Sequence, residues 1–145
     1  MPREERVCQC LGCEHPEIES TRHMIIVCDA WANRREELVA SIVNNRSISP
    51  RLKQMLGNSV QHSPDLWWRV LMCAPLPEMG EEYTESWAQL TKRISSRKWD
   101  RNVTDEMVAR ARQALSDRRT IIWVTGRQLR AWYLERALLA GYRRV

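Results

Sequence analysis

The 145-residue sequence contains no phenylalanine and only five glycines. With so little glycine it has no Gly-rich loop to cradle a phosphate. It has no serine in a nucleophile-elbow setting and no helical His-Glu-x-x-His. Long apolar runs are also missing. The cleanest, Met24-Ile25-Ile26-Val27-Cys28, is far too short to cross a bilayer, so no membrane partner is expected. The first residues, Met-Pro-Arg-Glu-Glu-Arg, are charged and unlike a secretory signal. The expected location is therefore intracellular, cytoplasm or nucleus, where thiols stay reduced. Of three histidines, His15 and His62 lie in loop-like surroundings and read as surface residues. The carboxylates occupy capping or helix-face positions. General acid–base work needs two of them in a desolvated pocket, so the expectation is a protein that is not an enzyme.

What is present is globular: 43% hydrophobic and 28% charged residues. Seven tryptophans and three tyrosines supply the aromatic surface. They can serve as core anchors or as platforms on which bases stack. The formal net charge is +5 and is unevenly spread. Residues 1–28 carry −2, residues 29–100 carry +1, and residues 101–145 carry +6. A basic last third favours polyanions, nucleic acid above all.

Four of the five cysteines fall in the first 28 residues: Cys8, Cys10, Cys13 and Cys28. Such clustering in a reduced compartment points to metal more than to disulfides. Cys10, Cys13, His23 and Cys28 form a C-x2-C-x9-H-x4-C pattern. Two thiolates on a tight knuckle, one imidazole and a third thiolate make a closed Cys3His tetrahedron for one zinc ion. Four protein ligands leave no open position for water, so the zinc is expected to be structural, and its binding energy would fold a segment too short to fold alone. Cys8 and His15 are close enough to compete, Cys8 in place of Cys10. Cys73, after Leu71-Met72, reads as a buried core thiol.

The segment Cys10-x-x-Cys13, then Glu19-Ser20-Thr21-Arg22-His23, then Met24-Ile25-Ile26-Val27-Cys28 resembles the CCHC-like zinc-binding segment that follows the reverse transcriptase in non-LTR retrotransposon proteins. Trp31 and Arg34-Arg35 stand where that family has an Arg-bearing helix. The match spans residues 8–40. Gly12 precedes the second cysteine where the family more often has glycine after it, and Cys8 is extra. No paired-aspartate polymerase motif or nuclease carboxylate set accompanies it. The resemblance implies the C-terminal part of such a polyprotein, with RNA or DNA as partner.

Helix signals fill the rest. Trp31, Leu38, Val39, Ile42 and Val43 predict a helix over 30–45. Ser49-Pro50 opens a short helix to Gly57, and Ser63-Pro64-Asp65 opens a third. Ala74 to Gly80 is the clearest break. A fourth helix is predicted over 81–98, acidic at its start and basic at its end, as the helix dipole favours. Thr104-Asp105-Glu106 caps a fifth, carrying Met107, Val108, Ala111 and Leu115. Thr120 to Thr125 is β-branched enough for a strand, but no partner strand is visible, so it reads as the start of a last long helix that Gly126 weakens. From Arg118 onward the only acid is Glu135.

The expected architecture is mostly α: a small zinc knuckle over 1–32, then a bundle of about five to six helices over 33–145, with a possible subdomain break at 74–80. The expected function is zinc-dependent nucleic-acid binding, with Arg22, Arg34, Arg35, Arg127, Arg130 and Arg136 touching phosphates. The rival expectation is a protein-interaction or oligomerisation domain, its zinc purely structural, docking through surfaces such as Trp67-Trp68. The terminal arginines would then be solvated or pair with acids near Glu81 and Glu36.

Overall fold

The computed structural model describes residues 22–143, excluding the side chains of 136, 137 and 139–143. Among the described residues there is no strand. A five-residue π turn, His23–Val27, and a 3-10 turn, Asp29–Trp31, lead into α1, Ala32–Val43. Then come α2 (Pro50–Leu56), α3 (Pro64–Leu71), α4 (Trp87–Ser96) and α5 (Asp105–Arg143).

Both Ser-Pro signals start helices, but by different chemistry. Ser49 Oγ accepts from Leu52 N–H at 3.4 Å and caps α2, with Pro50 in the first turn. Ser63 does not cap its own helix. Its hydroxyl and the Trp67 indole N–H both donate to the Leu56 carbonyl, at 3.2 and 2.8 Å, and so satisfy the C-terminus of α2. Gly57 turns the chain there with φ of +70°, where a Cβ would stand 2.7 Å from the His62 ring.

The fourth helix is shorter than the pattern predicts. Gly80, at φ +116°, redirects the chain into a 3-10 turn, Glu81–Tyr83. The helix begins only where Ser86 and Gln89 form a reciprocal capping box, at 3.1 and 2.7 Å. Glu81, Glu82 and Glu85 thus precede α4, and Arg93 folds back to pair with all three. Arg110 of α5 joins them, 3.2 Å from the buried Glu82.

The two last predicted helices are one. α5 runs 39 residues without a break, about 58 Å at 1.5 Å per residue. Its inner face carries Ala111, Ala114, Ile121, Thr125 and Trp132, all buried, at the three-, four- and seven-residue intervals a helix requires. Thr120–Thr125 is helical because this periodicity continues through it. Gly126 is on the open side, with nothing within 4 Å of an added Cβ, so it costs only helix propensity.

α1 lies antiparallel on α5. Arg34 meets Glu135, and seven residues further along α1 Ser41 meets Gln128, seven residues back on α5. Trp31 and Trp132 pack with tilted rings, centroids 5.8 Å apart. One hydrophobic core takes in Met24, Ile25, Ile26, Cys28 and Trp31 together with the helices. It runs without interruption across residues 32/33. It also crosses the proline-rich break, where Leu76 and Met79 are buried in it.

Deep in this core is Asp117, 1% exposed. Its carboxylate accepts from Ser49 N–H (2.9 Å), Gln113 Nε2 (2.7 Å) and the Tyr83 hydroxyl (2.5 Å). One side chain of α5 thereby fastens the start of α2 and the turn before α4.

Candidate nucleic-acid interface

Two of the four predicted zinc ligands are described. His23 and Cys28 sit at opposite ends of the π turn and are buried, at 3% and 0% exposure. The Cys28 N–H donates to the His23 carbonyl at 2.7 Å, the i to i+5 bond that closes such a turn. Cys10 and Cys13 lie outside the described residues, as do Cys8 and His15. Among the described residues no group of three or more His, Cys, Asp or Glu side chains is placed to hold a metal.

Arg35 is not where the sequence reading puts it. It was expected to touch phosphate, but it is 5% exposed. Its Nε donates to the Ile25 carbonyl and its Nη2 to the Cys28 carbonyl, both at 2.6 Å. The reason is helical phase: residues one apart differ by about 100° around the axis. Arg34 therefore faces α5, while Arg35 points at the π turn.

The other predicted arginines divide. Arg22 pairs with Asp65, at the start of α3, at 2.7 Å. Arg34 is held by Glu135 (2.6 Å) and by Glu37 (3.5 Å), so its charge is compensated. Arg127 and Arg130 are exposed on α5, and no carboxylate among the described residues is within ion-pair distance of either. The same holds for Arg112 and Arg119, which share their outward face. The Arg136 side chain lies outside the described residues. The acids that could have quenched this face are engaged elsewhere: Glu81, Glu82 and Glu85 by Arg93 and Arg110, Glu135 by Arg34.

Between α1 and α5 runs a groove of about 490 Å³, lined by Arg34, Ser41, Asn45, Trp123, Arg127 and Gln128. It brings Arg34 and Arg127 together with three side chains the sequence reading passed over: Asn45, Trp123 and Gln128. Trp123 is 62% exposed, and the Arg127 guanidinium lies 4.7 Å from its ring centroid. Gln128 Nε2 donates to Ser41 Oγ at 3.2 Å, which fixes the amide and leaves its carbonyl oxygen without a partner among the described residues. Asn45 Oδ1 accepts from Ser47 N–H at 2.9 Å, leaving its amide protons similarly available. The spacing of Trp123, Arg127 and Arg130, four and three residues apart, is the sequence signal for this surface.

The tryptophans divide by exposure. Trp31, Trp67 and Trp132 are core anchors, whereas Trp87, Trp99 and Trp123 are exposed. Trp67 is fully buried and Trp68 half-buried, so Trp67 does not contribute to the docking surface expected around Trp67-Trp68. Cys73 is likewise not a core thiol: it is exposed, at φ +54°, in the turn that ends α3.

No helix of the described residues is long and apolar enough to cross a membrane. Comparisons with protein-family models, with curated proteins and with solved structures find no match to this chain.

Proposed function

We propose that the protein is a nucleic-acid-binding module whose phosphate-contacting surface is the outward face of α5, and whose N-terminal segment is organised by one structural zinc ion. The single observation that supports the first half most is the segregation of charge. Arg112, Arg119, Arg127 and Arg130 share one helix face; Glu106 and Glu135 are engaged by other arginines, and Asp117 is buried on the opposite face with its own donors. Four like charges held together without counter-ions repel one another. A polyanion that displaces its own condensed cations onto this face relieves that repulsion.

The zinc reading rests on Cys10, Cys13, His23 and Cys28 as ligands. It draws support from the burial of His23 and Cys28 one turn apart, with Arg35 holding the carbonyls of Ile25 and Cys28. The retroelement resemblance of residues 8–40 is consistent with both halves and belongs to this proposal.

Two measurements test it. Fluorescence anisotropy with labelled RNA and DNA oligonucleotides should give affinities that fall steeply with salt. The double substitution Arg127→Ala, Arg130→Ala should shrink that salt slope by about two. Metal content by mass spectrometry should give one zinc per chain, lost or weakened by His23→Ala. An unchanged salt slope in the double variant removes α5 as the contact surface. A folded, metal-free protein removes the zinc.

One observation favours a second reading, self-association or a protein partner. Leu134 and Leu138 on α5 are 58% and 65% exposed. Its signature is a concentration-dependent mass in sedimentation that does not respond to salt.

A further inference from the structure

We propose that the α1–α5 groove is a seat for one unpaired base, which makes the preferred ligand single-stranded nucleic acid. The inference rests on the nucleic-acid reading of α5 and names the form of ligand that reading leaves open.

The argument starts from Trp123. An indole 62% exposed in the middle of a long helix is an unused stacking surface. Arg127 covers one side of it, with its guanidinium 4.7 Å from the ring centroid. A flat aromatic ring laid on the other side completes a three-layer stack with the positive charge at its end. The same arginine stands beside the phosphate that such a nucleotide would bring. Arg130, one turn further on, can take the next phosphate.

The groove beside this platform carries hydrogen-bonding groups in fixed positions. Gln128 is oriented by its bond to Ser41 and offers a carbonyl oxygen; Asn45 is oriented by its bond from Ser47 and offers amide protons. Both line the recess together with Trp123. An acceptor and a donor next to a stacking ring match the edge of a base, which presents donors and acceptors in its own plane. The recess, about 490 Å³, is of a size for a nucleotide, not for a duplex.

A duplex fits poorly for two further reasons. Its base faces are already stacked and its Watson–Crick edges already paired, so Trp123 would find no free face in it and Gln128 and Asn45 only the groove edges. An α-helix can reach base edges only by filling the major groove of B-form DNA, whose width is about that of the helix itself. The seat lies between α5 and α1, which runs beside it from Arg34 to Ser41, and a major groove filled by α5 alone has no room for both. The major groove of A-form RNA is narrower still.

The test uses the full-length protein with fluorescein-labelled twelve-nucleotide probes: single-stranded homopolymers of each base, and a blunt duplex of the same length. Single strands should bind at least tenfold tighter than the duplex at equal salt. Trp123→Ala should weaken single-strand binding roughly five- to a hundredfold, the range seen for loss of one base–aromatic stack. Trp123→Phe should restore most of it, and duplex binding should not respond to either. Because Trp123 is exposed, both variants should keep the parent circular dichroism and melting temperature. Gln128→Ala should flatten any preference among the four homopolymers.

Equal weakening of single-strand and duplex binding by Trp123→Ala, or no weakening, overturns the proposal. If Arg127→Ala, Arg130→Ala still lowers the salt slope in that case, the α5 interface stands and only the base seat falls. If no probe binds at any salt, the interface reading fails and the base seat fails with it.

Discussion

Arg34 of α1 closes on Glu135 of α5 with two nitrogens on one oxygen, Nε at 2.7 Å and Nη2 at 2.6 Å from the same carboxylate oxygen. This pair fixes how α1 and α5 lie against each other, and it neutralises the only acid on α5 beyond Asp117. The basic face therefore owes its uncompensated charge partly to an arginine on another helix.

It follows that Glu135→Gln should strengthen nucleic-acid binding. With Glu135 neutral, Arg34 keeps only Glu37 at 3.5 Å, and the plot of log affinity against log salt should steepen by about one counter-ion. Arg34→Ala should do the opposite, because it leaves Glu135 bare beside the groove. Anisotropy titrations at three salt concentrations decide the matter; a Glu135→Gln slope equal to that of the parent contradicts it.

Asp117 should be among the least replaceable residues. Asp117→Ala strands the Tyr83 hydroxyl and the Ser49 N–H together, while Gln113 keeps the Ser47 carbonyl and solvent, and should cost about 3 kcal/mol. Tyr83→Phe removes one donor only and should cost about 1–2 kcal/mol. The pair also sets an alkaline limit. Burial first, and then the Asp117 carboxylate, hold the Tyr83 hydroxyl well above its usual value of 10.0. A raised folded value means the stabilisation is complete below about pH 10 and is lost as the pH climbs beyond it. Urea midpoints at pH 8 and pH 11 should fall together more steeply in the parent than in Tyr83→Phe.

Arg35 should behave as a structural residue. Arg35→Lys cannot supply two donors in a rigid fork to the Ile25 and Cys28 carbonyls. It should lower stability by about 2–3 kcal/mol, with one buried carbonyl left unpaired. Its effect on nucleic-acid affinity, measured below the unfolding transition, should be small beside that of Arg127→Ala. A variant with parent stability and lost binding would return Arg35 to the contact surface.

Cys73 occupies a place that suits glycine. Ala74 N–H donates to the Arg69 carbonyl at 2.8 Å and Cys73 N–H to the Val70 carbonyl at 3.1 Å. This is the Schellman pattern, with Cys73 at the left-handed position, φ +54°. A side chain there costs about 1 kcal/mol relative to glycine. Cys73→Gly should therefore raise the unfolding free energy by about that much, with no change in the denaturant slope. A loss of stability would show that the thiol contributes packing worth more than the strain.

Much of this fold is legible in the residues. The three-to-four spacing of apolar side chains predicts α1, and the two Ser-Pro pairs predict where α2 and α3 begin. These signals are local, and local signals survive folding. The start of α4 is harder to read, because Glu81 to Glu85 look like a first turn until Gly80 reverses the chain and Ser86 supplies a better cap. Whether Arg34 or Arg35 is the buried one depends on which side of α1 meets α5, a fact that arises only on packing. The same is true of Trp123 and Trp132, which are alike in composition and opposite in exposure. Asp117 gives little signal, since only Gln113 is near it in the chain and its other two donors, Ser49 and Tyr83, come from distant parts.

The long reach of α5 also has a consequence for how the molecule is made. Arg34 and Glu135 are 101 residues apart in sequence, and Trp31 and Trp132 meet across the same span. A chain emerging from the ribosome makes α1 early but cannot bury its inner face until nearly all of α5 has followed. Most helical proteins fold through near neighbours and do so fast; closing so large a loop first should make this one slow for its class. In the interval Trp31 lacks Trp132, the ring it packs against in the finished fold.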